Sequence, residues 1–116
     1  MPSSTGYRQG DIVLVSFPFT DLTSSKRRPA LIVSPDSFNA AGEDLVLAAI
    51  TSHITDDPNV VHLSGADFSE GRLPKKSIVK TTKLFTMHSS LIVKKVCTLT
   101  NQKTEESLQA MREFFS

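Results

Sequence analysis

The chain has 116 residues, of which 39% are hydrophobic and 22% charged, and its net charge is +1. That length suits one domain with a core of its own, and the composition excludes a disordered or collagen-like chain. The lone Cys97 excludes an internal disulfide and a cysteine-based zinc site. No apolar run approaches the roughly 20 residues of a membrane helix. The opening MPSSTGYRQGD lacks the apolar core of a signal peptide. The expectation is therefore a single cytoplasmic domain over residues 1–116, with residues 1–8 as a flexible N-terminal arm.

In chain order, DIVLVSF (11–17) is β-branched and aromatic and follows Gly10, which predicts a largely buried strand. FPFTDLTSSKRR reads as a loop, because Pro18 ends the strand and Asp, Thr and Ser cluster as turn formers. PALIVS (29–34) is a second short strand, and PDSFNAAGED is a loop with room for one helical turn. LVLAAIT (45–51) and VVHLS (60–64) are strands three and four. GADFSEGRLPKK, with two glycines and a proline, reads as a loop. SIVKTTKLF and SLIVKKVCTL complete the strands. The last stretch is helical. Thr100 or Asn101 can cap it, Glu105 and Glu106 suit the positive end of its dipole, and Leu108, Met111 and Phe115 form one apolar face. Many short strands and one terminal helix imply a mainly β fold, a small curved sheet or partly closed barrel.

Charge is distributed in blocks. No Lys or Arg occurs from Pro29 to Gly71, and no Asp or Glu from Arg72 to Thr104. Such blocks either interleave into ordinary surface pairs or create a local field. The sequence holds no GxSxG, HExxH, P-loop or GxGxxG motif. The histidines His53, His62 and His88 share no metal-ligand spacing. His62 reads as a sheet residue, His88 as a turn residue, and His53 lies near a strand end, where sites open. Asp56 and Asp57 sit in a Pro-containing turn.

Arg28 is more informative. Proline forces the preceding residue into an extended conformation, so Pro29 holds Arg28 at the start of a strand. Its guanidinium fork matches a phosphate or a carboxylate; the alternative is a surface ion pair. Thr51 and Ser52 end a strand with buried-looking neighbours. Their hydroxyls can bond a phosphate or their own backbone.

Several stretches resemble one family when taken together. GDIVLVSFPFTD, KRRPALIVS, LVLAAITS and SIVKTTKLFT, followed by a short C-terminal helix, resemble the MazF/PemK/Kid toxins of bacterial toxin–antitoxin modules. The similarity runs from about Gly10 to about Phe115. It implies an SH3-like small barrel with a terminal helix, a fold shared with the gyrase poison CcdB. It also implies a homodimer that cuts single-stranded RNA without a metal or cofactor. The RNA's own 2′-hydroxyl attacks and a cyclic phosphate is left, until a cognate antitoxin covers the RNA groove. The family's catalytic arginine falls on Arg28 and its threonine on Thr51. Ser52, His53 and Thr82 are further candidates for catalysis or positioning. Phe19, Thr20, Lys26, Arg27, Lys75, Lys76, Lys80 and Lys83 are candidates for RNA contact, Phe19 and Phe85 being possible stacking surfaces. One departure stands out: many relatives carry an acid or amide two residues after a basic one, where this chain has Thr82 after Lys80. That leaves as alternatives a non-catalytic member, either a gyrase-directed poison or an RNA-binding protein, and a dimeric scaffold built on the helix and Phe114–Phe115.

Overall fold

The structure, a computed structural model, describes residues 6–17 and 26–116. Seven strands follow one another as β1 (Asp11–Phe17), β2 (Lys26–Ile32), β3 (Asp44–Thr51), β4 (Val60–Leu63), β5 (Phe68–Glu70), β6 (Ser77–His88) and β7 (Ile92–Leu99). Helix α1 (Asp36–Ala41) lies between β2 and β3, and helix α2 (Asn101–Phe114) closes the chain. The strands form one sheet in the order β4-β6-β3-β2-β1-β7-β5, with antiparallel neighbours throughout. The sheet curls into a half-barrel, the mainly β architecture expected of the sequence.

The apolar stretches of β1 to β3 are buried on both faces, which explains their nearly continuous apolar text. Ile12, Leu31, Ala48 and Ile50 belong to one core cluster, together with Val79, Cys97, Leu99 and Met111 of α2. The next residues along the same strands, Val13, Ala30, Ile32 and Leu47, belong to a second cluster, backed by Phe85, Met87 and Ile92. Successive side chains on a strand point to opposite faces, so sequence neighbours fall into different clusters. Each fully buried Val, Leu or Ile side chain among them contributes roughly 1.5–3 kcal/mol.

Local chemistry sets the ends. Thr100 caps α2 by accepting the Lys103 N–H at 3.1 Å. Glu105 and Glu106 lie beyond the first turn, so the helix dipole is not what they serve. They are held instead by Arg112 at 2.7 Å and Lys103 at 2.9 Å. Met111 is buried and Leu108 half-buried as the apolar face requires, but Phe115 caps the helix and is 68% exposed. Gly10 has φ of +98°, and a Cβ there would fall 2.7 Å from Thr104 Oγ1. A glycine therefore lets the first turn of α2 approach the start of β1.

Two further expectations are corrected. Lys26 and Arg27 are not loop: together with Arg28 they pair with Phe17, Ser16 and Val15 of β1, and the strand that Pro29 holds extended at Arg28 begins two residues earlier. The segment read as one long loop contains β5, whose Phe68 pairs with Leu99. Tyr7 packs against the second core cluster, and the Arg8 N–H donates to Asp11 Oδ2 at 3.0 Å.

Cys97 is 2% exposed, and burial, helped by the Asp11 carboxylate, pushes its thiol up from 9.0 to about 11. The unfolded chain therefore releases this proton near pH 9 while the folded chain keeps it to about pH 11. Stability is expected to fall as pH rises through that window. Thermal melts of the unmodified protein and Cys97→Ala across the window check this: the variant's midpoint should fall less steeply. Equal slopes would assign the loss to other groups.

Candidate functional site

The register of β2 on β3 decides where the site forms. Ala30 pairs with Ala49 and Leu31 with Ala48. Extending that register by two residues sets Arg28 opposite Thr51. Pairing with β3 begins at Ala30, one residue after Pro29, which has no N–H to donate. Beyond that point β2 and β3 enclose open space rather than a ladder.

On the other side of β3 the ladder is also broken. Ala48 pairs with Leu84 of β6 and Ile50 with Val79, so Ala49 alone stands opposite Lys80, Thr81, Thr82 and Lys83. A bulge of this size bends the strand and re-aims its side chains. It is pinned from behind: the Asn59 carbonyl accepts from Thr81 Oγ1 at 2.8 Å and from the Thr81 N–H at 3.3 Å. Thr81 is thereby buried, while Lys80 and Lys83 line the same open space.

Two hollows result, and Arg28, Pro29, Ile50 and Thr51 wall both of them. The larger, about 760 Å³, continues over Ala49, Lys80, Lys83 and the apolar side chains Leu84, Phe85, Met87 and Leu91. The smaller, about 220 Å³, continues over Ser52, Leu73, Pro74, Lys75 and Ser77. Arg28 and Thr51 thus stand on the divide of one groove. Thr51 Oγ1 accepts the His53 N–H at 3.1 Å, which fixes its rotamer and leaves its own proton to donate elsewhere.

The charge blocks resolve in two ways. Lys95 reaches Asp11 and Glu70, and Lys103 reaches Asp67 and Glu106, so part of the basic block is neutralised on the surface. Among the described residues Arg28, Lys75, Lys80 and Lys83 make no ion pair, and no carboxylate lines either hollow. A cationic groove with hydroxyls at its centre is built for a phosphate oxyanion.

Several sequence candidates meet here: Arg28 and Thr51 at the divide, Lys80 and Lys83 on the larger side, Ser52 and Lys75 on the smaller. Phe85 both packs on the core and lines the larger hollow. Others are not brought in. Thr82 and Lys76 are exposed and line neither hollow. Arg27 is exposed on β2, adjacent to Arg28 and hence on the opposite face of the strand. His53 is exposed, and it is its backbone that touches Thr51. His62 lies exposed on the edge strand β4, and His88 Nδ1 accepts the Ser90 N–H at 3.0 Å. Phe19 and Thr20 lie outside the described residues, as does the side chain of Lys26. Sequence reasoning missed the apolar wall of Leu84, Met87 and Leu91. One signal was present: Lys80 and Lys83, three apart, share a side only if the strand is irregular.

A sequence profile of the PemK-like, MazF-like toxins of type II toxin–antitoxin systems matches residues 8–115. The chain belongs to this toxin family. No curated protein sequence matches it at a significant level. Among solved structures, an endoribonuclease in complex with its cognate antitoxin from a mycobacterial species superposes with a TM-score of 0.77 at 16% identity, covering 94% of each chain. A MazE–MazF complex from Deinococcus radiodurans gives 0.77 at 18% identity, over 94% of this chain and 95% of that one. The Mycobacterium tuberculosis toxin MazF-mt6 gives 0.72 at 16%, over 90% and 95%. At such identities these likenesses speak for the fold. The arginine-to-threonine divide is a property of this chain's own groove. No helix among the described residues is long and apolar enough to cross a membrane.

Proposed function

We propose that this toxin is a sequence-selective endoribonuclease that cleaves single-stranded RNA without a metal. In this reading it works as a homodimer in the cytoplasm and inhibits growth until an antitoxin neutralises it. The observation that carries the reading is that Arg28 and Thr51 jointly wall both halves of a groove whose charged residues are all cationic. The solved relatives named endoribonuclease, one of them bound to its cognate antitoxin, support it by family.

The chemistry follows from the groove. The RNA 2′-hydroxyl passes its proton to solvent and attacks the adjacent phosphorus. The bond from phosphorus to the 5′-oxygen then breaks, that oxygen takes a proton, and a 2′,3′-cyclic phosphate remains. The phosphorane between these steps carries extra negative charge, and a guanidinium already in place is worth most where charge develops. Arg28 does this electrostatic work; its high pKa makes it a poor base. The Thr51 hydroxyl donates to a phosphate oxygen and keeps the nucleophile in line. The Lys80 ammonium neutralises a phosphate and can protonate the departing oxygen.

The test is direct. Purified protein, incubated with a long unstructured RNA in excess chelator, is expected to yield fragments ending in cyclic phosphate. Intact RNA, or cleavage only after a divalent metal is restored, overturns the proposal. A second reading, a non-catalytic member that binds RNA or gyrase, is favoured by one observation: no carboxylate or imidazole lines the groove among the described residues. Binding measured beside cleavage separates the two: RNA that is bound yet stays intact would mark a binder, and RNA that is cut would mark the nuclease.

A further inference from the structure

The two hollows that meet at Arg28 and Thr51 differ in size and in chemistry, and the step taken here rests on the nuclease reading above. The larger, about 760 Å³, lies within the roughly 300–1,000 Å³ typical of sites that enclose a compact organic group. Its wall is largely apolar, with Leu84, Phe85, Met87 and Leu91, and away from the divide its polar side chains are Lys80 and Lys83 of the β6 bulge and Thr86. The smaller, about 220 Å³, falls below the roughly 300–1,000 Å³ range, and hydroxyls with one ammonium dominate its polar wall: Ser52, Ser77 and Lys75.

An RNA strand with its scissile phosphate on the divide sends one nucleotide to each side. A nucleobase has apolar faces and a polar edge, which suits the larger hollow. A ribose with its phosphate is small, hydroxylated and anionic, which suits the smaller. Lysine brings donors and no acceptor. It therefore favours a base edge with a carbonyl oxygen, as in guanine or uracil, over adenine, which has none.

We propose that this toxin reads sequence on one side of the scissile bond: the larger hollow takes an unstacked, carbonyl-bearing base that accepts from Lys83, and the smaller grips the sugar–phosphate of the other neighbour whatever its base. Lys83 is the specificity-determining residue and Lys75 a backbone contact. Both side chains are exposed, so their removal leaves the fold intact.

The test maps cut sites made by the full-length protein on a pool of single-stranded RNAs randomised around one position. One nucleotide next to the cut should show about tenfold discrimination against adenine, with the opposite neighbour close to indifferent. Lys83→Ala should bring that discrimination below about threefold. Lys75→Ala should slow cleavage of all sequences alike and lower the salt slope of RNA binding by about 0.7. Equal selectivity on both sides, or an unchanged pattern in Lys83→Ala, overturns the inference and leaves the nuclease reading standing. No cleavage of any RNA by the unmodified protein overturns that reading, and the inference falls with it.

Discussion

Replacing Arg28 by alanine is expected to lower the rate of RNA cleavage by about 10²- to 10³-fold, the usual loss when one preorganised donor to a developing oxyanion is removed. The fold should not suffer. Arg28 is exposed and, among the described residues, makes no ion pair that its loss would orphan. A surface change of this kind shifts stability by no more than about 0.5 kcal/mol. Arg28→Lys sharpens the result. Lysine keeps the charge but lacks the planar fork, so it should recover only part of the rate. The measurement is single-turnover cleavage with a melting curve beside it. A rate unchanged in Arg28→Ala would remove the guanidinium from the chemistry. A rate lost together with the fold would assign Arg28 a structural role instead.

What made Arg28 and Thr51 legible in the sequence is strand logic. Pro29 makes its neighbour extended, LVLAAIT reads as a strand, and the two segments are joined closely enough to pair. Strand β1 was legible to its boundaries because five of the seven residues between Gly10 and Pro18 are apolar. The bulge in β6 was not. SIVKTTKLF alternates too poorly to reveal which threonine turns inward, and the answer lies in a distant group, the Asn59 carbonyl that captures Thr81. That capture also puts Thr82 outside the groove. The family position expected to hold an acid or amide is thus occupied by a side chain that lines neither hollow. Strand β5 was hidden for another reason. It is a short edge pairing between Phe68–Glu70 and β7, and its length falls below what periodicity can show. Gly71 follows it with φ of +62°, where a Cβ would meet the Val96 carbonyl at 2.9 Å. A glycine that looks like loop punctuation is in fact a close contact.

The turn between β2 and β3 reinforces the register that unites Arg28 with Thr51, and this gives the second large effect. Asn39 of α1 is fully buried, and Ser34, just beyond β2, nearly so. The Ser34 hydroxyl donates to Asn39 Oδ1, Asn39 Nδ2 donates back to the Ser34 carbonyl at 3.1 Å, and Ser34 Oγ accepts the Val46 N–H at 3.1 Å. The Val33 N–H donates to the Val46 carbonyl at 2.9 Å in the same turn. A slip of one residue here would carry every side chain of β3 to the other face and separate Thr51 from Arg28. Asn39→Leu fills similar volume but leaves the Ser34 carbonyl and hydroxyl short of a buried partner, at about 1–3 kcal/mol for each unsatisfied group. The midpoint of thermal unfolding is therefore expected to fall by on the order of 10 °C. Asn39→Asp, which keeps an acceptor for Ser34 but loses the donor, buries a carboxylate and should fall at least as far at neutral pH, with partial recovery in acid as it protonates. Cleavage per folded molecule, measured well below the midpoint, should survive in Asn39→Leu, because the ladder from Ala30 to Ile32 still fixes the strands. An unshifted midpoint would show that the turn does not hold the register. Full folding with lost cleavage would show that it holds the register and little else.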